Sequence, residues 1–323
     1  MERLILDKID LNILSTLARD CRTSYSSIGS LIGLTSKSVK ARVKNMVRSG
    51  VIEKFIVRVN PAGFGYRTAL VLVRTNNGIT KDNVIQRVKQ FGDLAYHVHH
   101  MGKTSVAAII INKSLEDNII QSLNDCLKPA TVSSIAVSEL SVSTGLSETD
   151  LRIIKCLLLS GARMEISEIA KEVGISEKTS TRRPNRMKEG HLLDFSLQCS
   201  PAAMIGYIQF AIPTIVAKSH YRSVSERMYS EFQANILYSP SVIDPENQLT
   251  FVLFGENVFE VDSVLAKVDS FEGVKSADLY IFIKWQYYDD WIIREIDERL
   301  LPRPLSHRSI KVADKLHSIR HRT

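Results

Sequence analysis

The first fifty residues show apolar positions at helical spacing in three short segments. This periodicity predicts a helix around residues 10–17, a second helix capped by Thr23 or Ser24, and a third capped by Thr35 after a turn at Gly33. The apolar residues expected to form their common core are Leu11, Ile13, Leu14, Leu17, Ile28, Leu31, Ile32, Val39, Val43, Met46 and Val47. Three short helices with a tight turn before the last are typical of a helix-turn-helix unit.

After these helices the pattern changes from helical to alternating. Residues 51–59 alternate between apolar and polar side chains, which predicts a strand in the position of a wing. Beyond it, strands are predicted at 69–75, 94–100, 105–111 and 132–142, with helices at 81–91 and 115–127. A fainter copy has strands near 208–215, 234–239, 249–254 and 277–284, with helices at 221–232 and 258–268. The β-α-β-β-α-β order indicates a ferredoxin-like domain, with two helices on one face of an antiparallel sheet.

The chain is similar to itself at a spacing of 140 to 141 residues, which indicates one two-part unit present twice. The matching pairs include Asp10 and Asp150, Gly33 and Gly174, Lys37 and Lys178, Arg42 and Arg183, Phe55 and Phe195, and Pro61 and Pro201. The predicted fold class is therefore α+β, with two winged helix-turn-helix domains that are each followed by a ferredoxin-like (RAM-type) domain. The predicted domains are winged helix-turn-helix domains at 1–64 and 146–204, ferredoxin-like domains at 65–145 and 205–286, and a C-terminal helix with a basic tail at 287–323.

Composition excludes several classes of protein. With 44% hydrophobic and 24% charged residues and a mean hydropathy of −0.03, the chain has a globular composition, and no apolar run approaches the ~18 residues of a membrane span. The N-terminus has acidic residues at positions 2 and 7 instead of a basic start and an apolar stretch, so we expect a cytoplasmic protein without membrane contact. The four cysteines form no C-x-x-C pair, so we expect reduced thiols and neither a metal site nor a cofactor.

Positive charge is concentrated at the two ends of the chain. Residues 1–60 contain 11 Lys and Arg against 5 Asp and Glu, whereas residues 201–302 contain 8 against 15. The tail at 303–323 is again basic, with 6 against 1. This distribution favours contact with a polyanion near the first helices, and the tail would add nonspecific phosphate contacts or remain a solvated terminus.

The third predicted helix has the composition of a DNA recognition helix, since residues 36–49 contain no acidic residue. In a helix-turn-helix the first part of this helix contacts base edges in the major groove, and later positions contact phosphates. The candidate DNA-binding residues are the cap Thr35, the base-reading Ser36, Lys37, Ser38, Lys40 and Ala41, the phosphate-contacting Arg42, Lys44 and Arg48 with Asn45 beside them, and Lys54 and Arg58 on the wing. A solvated basic face without nucleic-acid function is the alternative.

The equivalent helix of the second repeat is altered. It keeps the candidate secondary DNA-binding residues Lys178, Arg182, Arg183 and Arg186 and adds Glu177 and Glu189. Pro184 stands where the first copy has Val43, and a proline inside a helix costs ~3 kcal/mol unless the helix kinks or begins there. Two hypotheses stay open: a structural or weakly phosphate-contacting copy, and a second base-reading helix.

The stretch GLTSKSVKARVKNMVRSGVI from Gly33 to Ile52, followed by the wing and NPAGFGY, resembles the Lrp/AsnC (feast/famine) regulators. The resemblance implies double-stranded DNA as partner and ferredoxin-like sheets packed face to face between protomers, so that one tandem chain would form a pseudo-dimer and two chains a homodimer. Family members bind small effectors near a turn that Gly102 matches. Lys103 and Thr104 stand where acidic residues are frequent in the family, which argues against amino-acid sensing and leaves the effector unknown.

Two other functions compete with a sequence-specific regulator. Siroheme decarboxylases are built from the same modules, and His97, His99 and His100 would be the candidate residues of such an enzyme. A metal site at these histidines lacks a third and a fourth ligand, so ordinary sheet residues are the simpler interpretation. No nucleophile-base pair, P-loop or dinucleotide motif is present, so we expect no enzyme. A nonspecific chromatin protein is the second alternative.

Overall fold

Each half of the chain begins with three helices and one strand, as the repeat predicts. The computed structural model describes residues 4–112, 122–137, 145–238 and 247–301. Its helices are α1 Lys8–Arg19, α2 Tyr25–Ile32, α3 Ser36–Arg48, α4 Lys81–Val88, α5 Glu148–Ser160, α6 Ile166–Val173, α7 Glu177–Glu189, α8 Tyr221–Phe232, α9 Val258–Asp269 and α10 Asp290–Leu300. Its strands are β1 Ile52–Val59, β2 Tyr66–Arg74, β3 Leu94–His100, β4 Thr104–Asn112, β5 Thr131–Val137, β6 Leu193–Cys199, β7 Ile208–Val216, β8 Ile236–Tyr238, β9 Gln248–Gly255, β10 Val274–Ala277 and β11 Tyr280–Tyr287.

The predicted caps and most of the predicted helical core are confirmed. Ser24 and Thr35 cap α2 and α3 by accepting hydrogen bonds from the main chain, and Gly33 has the left-handed φ of 72° that the tight turn requires. Two core predictions are wrong: Leu31 is 73% exposed and Val47 is 45% exposed. Each lies about 100° around its helix from the residue that faces the core, and the core-facing stripe of a short helix is narrower than the apolar sequence pattern suggests.

The strand predicted as a wing joins the two helix-turn-helix units. β1 pairs antiparallel with β6 of the second half, from Ile52 opposite Cys199 to Val59 opposite Leu193. Residues on both faces of β1 are buried, among them Ile56 and Val57. The two units are therefore held together by a two-stranded sheet.

The two ferredoxin-like modules share one antiparallel sheet. The order of the described strands is β5-β2-β4-β3-β11-β7-β9-β8, and β10 pairs with β7. The junction is β11, which pairs with β7 through Tyr280 and Ile281 and with β3 from Phe282 onward. The strand predicted at 277–284 is thus two strands. Of the helix predicted at 115–127, residues 122–126 are helical and 113–121 lie outside the described residues, as do 138–144 of the last predicted strand of the first module.

Each helix-turn-helix unit packs against the ferredoxin-like module of the other half. The core of the first unit includes Leu237, Tyr238 and Phe254 of the second module, and the Tyr238 hydroxyl donates to the Leu197 carbonyl at 2.8 Å. The core of the second unit includes Ala95 and Ile110 of the first module. The predicted C-terminal helix, α10, packs into this second core through Trp291, Ile292 and Ile296. This crossed packing makes the two halves one interdependent body.

Candidate nucleic-acid interface

The first recognition helix, α3, buries a narrow stripe and exposes the rest of its surface. Val39, Val43 and Met46 are at most 3% exposed and fix the helix against α1 and α2. The Thr35 hydroxyl accepts from the Ser38 main-chain N–H at 3.1 Å and so fixes the start of the helix. The candidate residues that lie exposed on α3 are Ser36, Lys37, Ser38, Lys40, Ala41, Lys44, Asn45 and Arg48.

Three lysines on the exposed face of α3 are free to bind a polyanion. Within the described residues Lys37, Lys40 and Lys44 have neither an ion pair nor a side-chain hydrogen bond with another group of the protein. Their spacing of three and four residues places them on one face of the helix. Arg48 lies one turn further on, where it donates to the Asn45 side chain at 3.0 Å. No carboxylate of α2 or α3 opposes this charge.

Arg42 has a structural role that the sequence did not indicate. Its guanidinium donates to Asp7 at 2.9 Å and to the buried Asp10 at 2.8 Å, which ties α3 to the start of α1. The hydrogen bond to Asp10 raises the pKa of Arg42. Its charge is therefore largely neutralised within the protein.

The second unit repeats this tie with two arginines. Arg183 and Arg186 of α7 donate to Asp150 at 2.9 and 2.8 Å. Burial alone would raise the pKa of Asp150, but hydrogen bonds from Ser147 and Arg183 and the charge of Arg186 hold it below its ordinary value of 3.8. These arginines thus fix the helix as Arg42 does.

The two cations predicted on the wing are also engaged within the protein. Arg58 forms an ion pair with Asp194, the residue opposite it in the β1–β6 ladder. Burial works to lower the pKa of Arg58, but the Asp194 carboxylate outweighs it and raises that pKa. Lys54 lies 3.8 Å from Asp289. Because the wing strand lies between the two units, its two cations form ion pairs within the protein.

The second recognition helix, α7, has the same length as α3, but most of its cations form ion pairs within the protein. α7 runs unbroken through Pro184 from Glu177 to Glu189 and has 13 residues, as α3 does, so the helix does not begin at the proline. Pro184 is buried at the position of Val43. Of the α7 cations, Lys188 pairs with Asp20 as well, which leaves two without an ion pair among the described residues, Lys178 and Arg182.

Acidic residues on α6, the helix before α7, increase the difference in charge between the two units. From Ser24 to Arg48 the first unit has five Lys and Arg and no acid, whereas from Glu165 to Glu189 the second has six against five. Glu165 caps α6 and interacts with Glu168 in a capping box, where the first unit has serines. The carboxylates of α7 are evident in the recognition helix itself, whereas those of α6 emerge only from a charge count over both helices.

The histidines of β3 lie on both sides of the sheet. His99 contacts Ser105 at 2.9 Å and Asp82 at 3.2 Å, and the Tyr288 hydroxyl lies 3.0 Å from Nδ1 of His97. Burial, followed by the charge of His99, lowers the pKa of His97 to about 4. In the part of the chain that is described, no cluster of three or more metal-ligating side chains occurs. The contacts of His97 and His99 join β3 to α4 and to the segment after β11, which is an ordinary structural role for residues of a sheet.

Comparisons with known proteins match the two helix-turn-helix units separately. A family described as winged helix-turn-helix DNA-binding matches residues 6–53, and the AsnC-type helix-turn-helix domain matches residues 146–188. No described helix is both long and apolar enough to cross a membrane.

Curated relatives are similar to part of the chain. An uncharacterized HTH-type transcriptional regulator of Pyrococcus furiosus is 40% identical over 68 residues, which cover 21% of this chain and just under half, 46%, of that protein. The HTH-type transcriptional regulator Ptr1 of Methanocaldococcus jannaschii is 27% identical over 112 residues, 35% of this chain and 76% of that protein. LrpA of Pyrococcus abyssi is 26% identical over 113 residues, 35% of this chain and 80% of that protein.

Solved structures include a protein that is similar over nearly the whole chain. The siroheme decarboxylase NirDL superimposes with a TM-score of 0.50 at 14% identity and covers 90% of this chain and 98% of that one. At this identity the likeness shows the fold alone, a tandem of two helix-turn-helix and two ferredoxin-like domains.

Fold and matches together define a tandem winged helix-turn-helix protein. Both helix-turn-helix units are similar to those of the Lrp/AsnC regulators, and the chain joins two copies of such a unit in one polypeptide.

Proposed function

We propose that the protein is a sequence-specific DNA-binding transcriptional regulator that inserts α3 into the major groove. The observation that carries this proposal is the acid-free face of α3, with Lys37, Lys40 and Lys44 free of ion pairs within the described residues. The N-terminal part of α3 holds the base-reading candidates, with Ala41 small enough for close approach to a thymine methyl. Lys44 and Arg48 contact phosphates further along the helix.

The two recognition helices contribute unequally. α3 reads bases, while α7 contacts the backbone of a second half-site through Lys178 and Arg182. The carboxylates of Glu165, Glu168 and Glu177 weaken that contact because they repel phosphates. The chain is thus a pseudo-dimer that reads one half-site strongly and the other weakly. We infer a homodimer of such chains, which acts in the cytoplasm where the DNA lies.

A random-site selection followed by footprinting tests this function. At ~150 mM salt the wild-type chain is expected to protect a defined site, and Lys37→Glu with Lys44→Glu is expected to abolish protection without loss of fold. Lys275→Glu, on exposed β10, is the matched control. Protection retained by the double variant would contradict the assignment. A specific-to-nonspecific affinity ratio near one would favour the chromatin protein instead.

A tetrapyrrole-binding enzyme is the second candidate, because NirDL shares the tandem architecture over almost the full chain. Siroheme is a polycarboxylate, and the cations among the described residues that line the cavity between the two halves of the sheet are Arg19, Arg58 and Lys188, at the end near the helix-turn-helix units. There Arg58 and Lys188 are paired with Asp194 and Asp20. This charge pattern suits a polycarboxylate poorly. Incubation with siroheme or haem tests the enzyme, since a bound tetrapyrrole would shift the Soret band.

A further inference from the structure

The two halves of the nine-stranded sheet enclose a cavity on the side opposite their helices. Its volume is about 750 Å³. Leu72, Val98 and Val106 line it from the first module, and Ala211, Pro213 and Tyr280 from the second. Their neighbours along the strands, such as Val71 and Ile212, face the helical cores, so the cavity lies between the two inner sheet faces.

A cavity of this kind suits an apolar occupant. Protein interiors leave few voids larger than a water molecule, because the atoms that line an empty void lose their dispersion contacts. Water occupies internal space well only where two to four polar partners hold each molecule. This cavity is lined mainly by hydrocarbon side chains and rings, and its volume matches a ligand of roughly 20 to 30 heavy atoms.

We propose that this cavity is a binding site for a neutral, flat and largely apolar small molecule, whose occupation changes the affinity for DNA. The effect on DNA rests on the function proposed above; the binding site does not.

His100 gives the cavity its polar end. Its ring packs near the ring of Tyr280, at 4.7 Å between centroids, and near that of Phe282, at 5.5 Å. The side chain is 4% exposed, and its Nδ1 atom has no hydrogen-bond partner among the described residues. Burial, helped by the charge of Lys81, lowers the pKa of His100 to about 3, so the ring is neutral at neutral pH. The imidazole therefore contributes a neutral ring and no charge to the cavity wall.

The opposite end of the cavity excludes a strongly charged ligand. The cations in the described lining are Arg19, Arg58 and Lys188, and the last two are paired with carboxylates. Asp194 and Asp278 also line the cavity, so the lining charges nearly cancel. Among the described lining cations Arg19, which is exposed, is the one without an ion pair, so an ionised group placed away from Arg19 would lose its hydration without gaining a free partner.

The cavity also touches the joint between the two helix-turn-helix units. Val59 and Leu193 are opposite each other in the β1–β6 ladder, and both line the cavity. β1 begins four residues after the end of α3. A molecule that packs against this strand pair is therefore positioned to shift the two recognition helices relative to each other.

A titration of the full chain with Nile red, a neutral planar dye of suitable size, tests the site. We expect one dye per chain with a rise in fluorescence. Leu72→Trp fills the cavity and is expected to weaken dye binding at least tenfold. Leu159→Trp, the same change at a side chain of α5 that is 63% exposed, is the matched control and should leave binding unchanged. Thermal unfolding of both variants establishes that they fold.

The outcomes separate the site from the DNA function. Equal dye binding by the two variants, or none by the wild type, would overturn the site. Displacement of the dye by haem with a Soret shift would also overturn the neutral ligand in favour of a tetrapyrrole. With a selected DNA site, saturating dye should change the dissociation constant by at least about fivefold, the lower range of known couplings. No change would overturn the coupling, whereas a chain that binds dye but no DNA would overturn only the proposed regulator.

Discussion

Arg22 and Arg163, which occupy equivalent positions of the two repeats, each donate hydrogen bonds to the turn that carries the other. Arg22 donates to the carbonyls of Ala162 and Met164 at 2.9 and 3.0 Å. Arg163 donates to the carbonyls of Cys21 and Thr23. This reciprocal contact, together with the β1–β6 ladder, fixes the two helix-turn-helix units around an approximate twofold axis. Their relative placement is therefore built into one chain rather than left to dimerisation.

Loss of either arginine should destabilise the joint. Hydrogen bonds from a charged donor contribute about 1.5 to 3 kcal/mol, so Arg22→Ala is expected to lower the free energy of unfolding by that amount. Urea unfolding measures it. Arg152→Ala on α5 removes an exposed pair with Glu148 and should cost less than 1 kcal/mol. A loss at Arg22 no greater than at Arg152 would show that the reciprocal contact does not hold the units together.

The two recognition helices should differ in a binding titration with the selected DNA site. Lys37→Ala is expected to weaken specific binding by about 1 to 3 kcal/mol, and Lys44→Ala to reduce the salt dependence by about one counterion. Lys178→Ala should have a smaller effect than Lys37→Ala, because carboxylates on α6 and α7 already weaken that contact. Lys275→Ala, exposed on β10, serves as the control. Equal losses at Lys37 and Lys178 would contradict the unequal pair.

Protonation of Asp150 should weaken the second unit in acid. Because the pKa of Asp150 is lower in the folded chain than its ordinary value of 3.8, its contribution is fully present above that value and is lost as the pH falls through the folded pKa. At neutral pH, Asp150→Asn is expected to cost about 3 kcal/mol, since it leaves Arg183 and Arg186 without their buried partner. Urea midpoints at several pH values should show this difference shrink below pH ~4. If the difference between wild type and Asp150→Asn stays constant with pH, the Asp150 carboxylate is not its source. Asp125→Asn, on the surface, is the control.

Local structure was predictable from the sequence because its signals are local. The caps at Ser24 and Thr35, the turn at Gly33 and the strand at 94–100 all appear where periodicity and turn chemistry place them. The role of the wing could not be predicted from the sequence. The partner of β1 is a strand about 140 residues away, and an alternating pattern does not identify the partner of a strand. Likewise no local pattern distinguishes Lys44, which is free, from Arg42, which binds Asp10 across the unit.

The weakness of α7 should lie in its surface charge and not in its backbone. Pro184 lies inside an unbroken helix and has no N–H to donate to the preceding turn, so Pro184→Val is expected to stabilise the chain by about 1 to 3 kcal/mol. Its DNA affinity should stay unchanged because Pro184 is buried. Thr181→Lys with Asn185→Lys restores the charges of Lys40 and Lys44 and should raise affinity several-fold, with a steeper salt dependence. Thermal unfolding and a binding titration measure both effects. If Pro184→Val raised the DNA affinity as much as Thr181→Lys with Asn185→Lys, the weakness of α7 would lie in its backbone conformation instead.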